Sequence, residues 1–421
     1  MRNTIVTLVG AALLAGCSSS ETPADIDAHA REYVTLGLGY AEVEPDALDF
    51  YFGPEELLAN GADLARDRAA IRGDLQALLT QLEEGPETDR GTHLHARVAE
   101  LLAIMDASDG ADETSFAEQA QQLYGITLTA ADAAALQATR DRLDALLPGE
   151  GALARRADAY TASFIIPEDR REAVFMRALD ECRQRTKVHW ALPDGETLDV
   201  EWTGKVPAAW HEYRGDGHSV LQVNPAAVAD IGSALDIACH EAWPGHHTQF
   251  LIAQPSGGFA LEDQLLFTRA PEQLLREGAG QYGVDLALPL AEREAFMRDE
   301  LFPLAGFAPA DAATFTQVHA ARQALGVAIA PILADYLDGE MTGFAAEQAL
   351  RREALVSSPE ALIFFARQYG AYVLGYSVAR EAVAACVATR AGGDDAAKWQ
   401  ALHAILATSD LSALEGAGCS L

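Results

Sequence analysis

Two runs of apolar residues constrain the fold before any other feature. Ile71, Leu75, Leu78, Leu79 and Leu82, and then Leu94, Val98, Leu101, Leu102 and Met105, each follow an i, i+4, i+7, i+8, i+11 spacing. That spacing lays one apolar stripe along an α-helix and is incompatible with the two-residue period of a strand. The two stripes therefore predict two amphipathic helices joined through Gly85-Pro86. A third helix is expected from Thr129, as N-cap, through Leu136, Leu143 and Leu147 to the stop signal Pro148-Gly149. The Asp/Gly-rich stretch from Asp106 to Glu113 reads as a loop. Apolar residues make up 49% of the 421, enough for a substantial core and against disorder as the main state. The balance of 30 Lys+Arg against 63 Asp+Glu gives a formal charge of −33 and excludes nucleic-acid binding through a basic face.

The N-terminus carries a different signal. An apolar run from Ile5 to Leu14 is too short to span a bilayer and is followed by small residues, as in an export signal. Leu14-Ala15-Gly16-Cys17 resembles the lipobox of bacterial lipoproteins, which implies acylation at Cys17. On that reading residues 1–16 are a signal peptide, 17–26 a tether, and 27–421 a single mostly helical domain. The expected location is the cell envelope, on the outer membrane and facing the periplasm, with contact to membrane only through the lipid. No other run was expected to reach membrane length. Of the remaining cysteines, Cys182, Cys239, Cys386 and Cys419, none has Cys-x-x-Cys spacing, so buried thiols or one disulfide near the C-terminus is the default.

Near residue 190 the periodicity changes. Leu198, Val200 and Trp202 alternate with polar residues, and two extended runs flank Gly215-Asp216-Gly217. This predicts a small antiparallel sheet just ahead of the chain's densest cluster of metal-binding residue types. That cluster is His240-Glu241-Ala242-Trp243-Pro244-Gly245-His246-His247. A Glu directly after a His is the general-base position of His-Glu-x-x-His hydrolases, but here position i+4 is Pro244. On an undistorted helix His246 would lie about 240° round from His240, and His247 about 10.5 Å along the axis. Pro244 cannot donate to the His240 carbonyl and Gly245 tolerates unusual backbone angles, so a kink or bulge is expected. A two-residue bulge favours His246 over His247 as ligand. Glu277, 37 residues after His240, opens a stretch of small residues and suits a third ligand on the next long helix.

The motif His240-Glu241-x-x-Pro244-Gly245-His246-His247, preceded by Val223-Asn224 and followed by Glu277-Gly278-x-x-x-Tyr282, resembles the bacterial family called domain of unknown function 885. Its members resemble gluzincin peptidases. The similarity runs from about Tyr213 to Gly375, with a weaker echo at Tyr51-Phe52-Gly53-Pro54. It implies a mainly helical, cleft-containing zincin-like fold akin to the M3 and M32 peptidases, with Zn2+ on His240, His246 and Glu277. It also implies that Val220 to Asn224 is the edge strand along which an extended peptide lies. Where the family commonly has Glu-Gly-Trp-Ala and a further Glu seven residues after the first, this chain has Ala279, Gly280 and Val284.

The chemistry expected of such a site is metal-assisted hydrolysis of short peptides or other small amides, with Glu241 as general base. Tyr372, matching a Tyr-x-x-Gly element of the family, is the candidate electrophile for the oxyanion, with Tyr376 in reserve. His319 and Arg322, one helical turn apart, are candidates to hold a substrate carboxylate, against a structural pairing. The alternative function is a catalytically silent binding lipoprotein that keeps zinc as a structural element.

Overall fold

The computed structural model describes residues 23–63, 67–109, 114–254, 257–407 and 419. Cys17, the export signal and most of the tether lie outside these residues. The fold is mainly α, as the stripes require. The helices that matter to the site are α1 (Pro23–Val43), α2 (Arg68–Glu84), α3 (Asp89–Asp109), α4 (Ala133–Leu146), α5 (Glu168–His189), α6 (Ile231–Glu241), α7 (His246–Ala253), α8 (Pro271–Ala287), α9 (Ala312–Ala324), α10 (Pro359–Tyr369) and α11 (Val378–Ala391).

Helices α2 and α3 bury the predicted stripes together with Tyr33, Val34 and Tyr40 of α1. Three boundaries differ from the sequence reading. The third helix starts at Ala133 because Asp132, not Thr129, caps it, accepting from the backbone N–H groups of Ala134 and Ala135. The Asp106 to Asp109 part of the expected loop is the last turn of α3. Pro23 to Ile26, assigned to the tether, is already helical.

Two small sheets interrupt the helices. Strand β1 (Leu48–Tyr51) pairs antiparallel with a strand far along the chain, Leu265–Phe267, named β5 below. Strands β2 (Thr197–Trp202), β3 (Ala209–Gly215) and β4 (His218–Val223) form the other sheet, in the order β2-β4-β3. The hairpin at Gly215-Asp216-Gly217 is present, but the sheet is mixed rather than antiparallel, since β2 runs parallel to β4. The 203–208 connection spans one end of the sheet, from Trp202 to Ala209 on either side of Val223, and leaves a gap that β4 fills, which alternation alone does not reveal. Strand β4 is therefore central, and the expectation that Val220 to Asn224 forms an edge is corrected. Among the described residues β2 and β3 are the two edges, and β3 is the one that lines the cavity described below.

Register places Leu198, Val200, Trp202, Leu221 and Val223 on one sheet face. That face packs on Val174, Phe175 and Ala178 of α5 and on Ile231, Leu235 and Ala238 of α6. Disulfide Cys182–Cys239 ties α5 to α6 one residue before His240, and Cys386–Cys419 joins α11 to the C-terminal segment. The second agrees with the default expectation and the first is additional. The segment Pro359–Ala391 is long and apolar enough to cross a membrane by length and composition alone, contrary to the sequence reading. Here much of it packs into the core and carries Tyr372.

Candidate metal centre

Asp230 begins the site by capping α6, its carboxylate accepting from the N–H groups of Gly232 and Ser233 at 3.0 Å each. Ile231, Ala234, Leu235, Ala238 and Cys239 bury one face of the helix, and His240 and Glu241 occupy its C-terminal end. Pro244 has no N–H to continue the ladder, so α6 stops and the chain turns wide. Gly245 N–H reaches back to Cys239 O at 3.2 Å and Thr248 N–H to Ala242 O at 3.2 Å, after which α7 starts at His246. The expected bulge is thus a complete break between two helices. Gly245 is required there, because a Cβ at this position would run into the His240 carbonyl group.

This turn brings His246 beside His240, with ring centroids 4.6 Å apart. Glu277, on α8, completes the group. One donor atom from each of His240, His246 and Glu277 lies within 4.8 Å of the other two, a cluster able to hold a metal ion. His240 Nε2 is 3.2 Å and His246 Nε2 3.7 Å from the Glu277 carboxylate. Helix α8 can approach this closely because residue 280 is glycine: a Cβ there would lie 2.8 Å from His240 Nδ1.

The hydrogen bonds around these residues leave ligand positions open. Gln249 donates from Nε2 to the Arg276 carbonyl at 2.9 Å, so its Oε1 is the atom facing His246 Nδ1 at 3.2 Å. That contact makes Nδ1 the protonated nitrogen of His246 and leaves Nε2 with a lone pair toward Glu277. Glu277 Oε1 accepts from the Tyr372 hydroxyl at 2.8 Å, while among the described residues Glu277 Oε2 meets only His240 Nε2, at 3.2 Å and out of hydrogen-bond alignment, and His240 Nδ1 is buried without a partner. Buried polar atoms are seldom left in that state. Two imidazoles and a carboxylate, with an unsatisfied acceptor between them, suit a borderline cation such as zinc.

Electrostatics separate the two histidines: burial works to lower the His240 pKa, but Glu277, Glu241 and Asp236 outweigh it and raise it. Burial works to raise the Glu277 pKa, but His240, His246 and Tyr372 outweigh it and hold it at about 2. His246 is pushed down to about 4 by burial and by the neighbouring His240, favouring the neutral imidazole that binds metals. Glu241 is raised to about 7, chiefly by burial. Its side chain makes no hydrogen bond to the described residues and lines the same cavity as the three donors, of about 600 Å³.

His247 goes elsewhere. Its Nε2 lies 3.0 Å from Glu196 and its Nδ1 2.7 Å from Ser219 Oγ, while Ser219 Oγ is 2.8 Å from His211 Nε2. Glu196 also pairs with Arg183 and can only accept, so the protons run one way: His247 donates to Glu196, Ser219 to His247, and His211 to Ser219. The chain of bonds fixes the orientation of His211, which lines the cavity from β3. Burial holds His211 well below the usual histidine range. Both His247 nitrogens are committed, which rules it out as a partner of His240.

Tyr372 lies in a 3-10 segment after α10, and Tyr376 lines the cavity at 42% exposure. His319 and Arg322 are not brought to the cavity. His319 Nε2 bonds to Asp236 at 2.6 Å, and Arg322 bonds to Asp158, Ser357 and the Leu355 carbonyl. Their capacity is consumed within the protein, so the substrate-carboxylate role is withdrawn from both. Sequence reasoning passed over four cavity residues: Asp49, Trp210, His211 and Arg276. Arg276 precedes Glu277 directly and Asp49 precedes the Tyr51-Phe52-Gly53-Pro54 element, but neither has a spacing of its own.

No protein-family model matches the chain, and no curated protein matches it. Its fold is shared with a candidate lipoprotein from Colwellia psychrerythraea, at a TM-score of 0.50 and 16% identity over 86% of this chain. The chain spans 63% of the length of that protein. A candidate lipoprotein of unknown function from Shewanella oneidensis gives a TM-score of 0.49 and 13% identity, covering 91% of this chain and 87% of the other.

Proposed function

We propose that this protein is a zinc-dependent hydrolase, a metallopeptidase for short peptides, held to the cell envelope by a lipid on Cys17. The observation that carries the reading is the convergence of His240, His246 and Glu277 on one point, with Glu241 free of other bonds in the same cavity. A structural zinc site has no need of that unpaired carboxylate, which favours an enzyme over a silent binding protein. The resemblance to domain of unknown function 885 points the same way. The lipid anchor is supported by the lipobox and by the lipoprotein description of the Colwellia protein that shares the fold.

A cation bound by the three donors would supply the charge that acidifies a water and polarises a scissile carbonyl. Glu241 takes and later returns the proton, a role suited to a carboxylate whose burial raises its pKa to about 7. The Tyr372 hydroxyl has one proton, held on Glu277, and would turn from that carboxylate to donate to oxygen charge that develops on the substrate. A substrate backbone lying along the cavity would meet the free edge of β3 at Ala209 to His211 rather than β4. The test is hydrolysis of a peptide, amide and ester panel by the zinc-loaded protein and by Glu241→Gln. Turnover by the wild type, with a loss of about 10²- to 10⁴-fold in a variant that still holds metal, is the expected result. Full activity in Glu241→Gln would remove the general-base role, and no turnover by the wild type would favour the binding protein.

A further inference from the structure

Arginines in this acid-rich chain are generally matched by carboxylates. Arg97 is paired with Glu100 and Glu272, Arg90 with Glu262, and Arg380 with Asp285. Several are not, among them Arg171, which bonds to the Ile166 and Pro225 carbonyls, and Arg269, which bonds to Ser108; Arg276 is the arginine that lines the cavity. It stands there beside the three donor residues, and among the described residues no carboxylate forms an ion pair with it. In a protein carrying 63 Asp+Glu against 30 Lys+Arg, a cation without a partner at the wall of a candidate active site needs a reason.

The neighbours of Arg276 hold it in place without a carboxylate in contact, although Glu272, Asp49 and Asp263 act on it from beyond ion-pair distance. One guanidinium nitrogen donates to Gln273 Oε1 at 2.7 Å, and the Phe250 ring lies beneath, 4.7 Å from centroid to the guanidinium carbon. Gln273 in turn donates from Nε2 to Asp49, whose other oxygen accepts from Trp210 Nε1 at 3.2 Å. The Gln273 amide therefore stands between Asp49 and Arg276 and keeps the acid from closing on the base. A guanidinium has five N–H donors in a planar fork suited to two carboxylate oxygens, and only one contact here uses them.

Resting on the hydrolase reading, we propose that Arg276 binds a free carboxylate of the substrate and so restricts the site to short peptides that present one, the C-terminal carboxylate first. Arg276 and Glu277 are consecutive, their Cα atoms about 3.8 Å apart. A carboxylate anchored on Arg276 brings the peptide bond nearest to it toward the metal ligands. Cleavage close to a free C-terminus follows, and it is the role that His319 and Arg322 do not fill.

The test is binding, measured by calorimetry on the metal-free protein so that it does not depend on turnover. Three probes are used: N-acetyl-Ala-Phe, its C-terminal amide, and N-acetyl-Glu-Ala amide, which offers only a side-chain carboxylate. The wild type should bind the free acid about tenfold or more tighter than the amide. Arg276→Gln should lose that difference while still binding the amide, which also shows that it is folded, and Arg276→Lys should keep part of it. Arg276-dependent binding of the glutamyl amide as tight as that of the free acid would support carboxylate recognition and overturn its assignment to the C-terminus. Equal binding of acid and amide by the wild type, or an acid preference that survives Arg276→Gln, would overturn the proposal. Failure of the zinc-loaded wild type to hydrolyse any peptide would instead remove the hydrolase reading and leave the binding result standing.

Discussion

Gly245→Ala tests the turn that joins the two histidine ligands. A Cβ at residue 245 would overlap the His240 carbonyl group and lie 2.7 Å from Cys239 O. Both contacts are with backbone, which cannot rotate away as a side chain can. The backbone must move by about 1 Å or more, and the residue next along the chain is His246. Metal–ligand distances tolerate only about ±0.2 Å, so such a shift takes His246 out of range of a cation held by His240 and Glu277. The expected loss in zinc affinity is about 10- to 100-fold, the usual cost of disturbing the orientation of a metal ligand. Global stability should change far less. Overpacking costs about 1–3 kcal/mol, and at about 2.1 cal/mol/K per residue over roughly 400 residues this lowers Tm by only about 1–4 °C. Zinc affinity would be read by competition with a chromophoric chelator and Tm by calorimetry on the metal-free form. Unchanged zinc affinity in a folded Gly245→Ala protein would refute the claim that this turn sets the site.

Further predictions follow from the same geometry. His246→Ala should abolish stoichiometric zinc binding, whereas His247→Ala should bind zinc but lower stability by breaking the Glu196–His247–Ser219 bonds; metal content and melting curves on both variants check this. Tyr372→Phe should keep its metal while kcat falls about 10²- to 10³-fold, and a parallel loss of metal would mean that Tyr372 serves only to hold Glu277. Because Glu241 must be ionised to accept a proton and burial raises its pKa to about 7, kcat/KM should fall as pH drops through that region. A bound cation favours the carboxylate, so the midpoint should lie at or below 7; a rate that rises on acidification would contradict the role of Glu241.

Helices α2 and α3 were legible because their stripes depend only on neighbours within the same helix. The pairing of β1 with β5 was not, since it joins residues more than 200 positions apart through four- and three-residue strands. The sheet's alternation was visible in Leu198, Val200 and Trp202, but strand order depends on β4 inserting between β2 and β3, which alternation does not encode. In the site, Pro244 and Gly245 announced a break, and the break selects His246. The preference for His246 over His247 came from helix geometry, whereas the reason His247 is excluded, its bonds to Glu196 and Ser219, comes from two other elements. His319 and Arg322 share a helix face as expected. Their partners Asp236 and Asp158 are contributed by distant segments, and this turns a plausible anion site into internal ion pairs. Arg276 carries the reverse lesson, because what marks it is its place at the cavity wall with most of its donors unused, which only the fold reveals.

The most direct test of the central claim is metal stoichiometry by mass spectrometry on the purified protein lacking residues 1–17, beside Glu277→Ala. One zinc per chain, lost in the variant, is the result expected if His240, His246 and Glu277 form the site. No metal in the wild type after zinc is supplied, or an undiminished equivalent in Glu277→Ala, would contradict it.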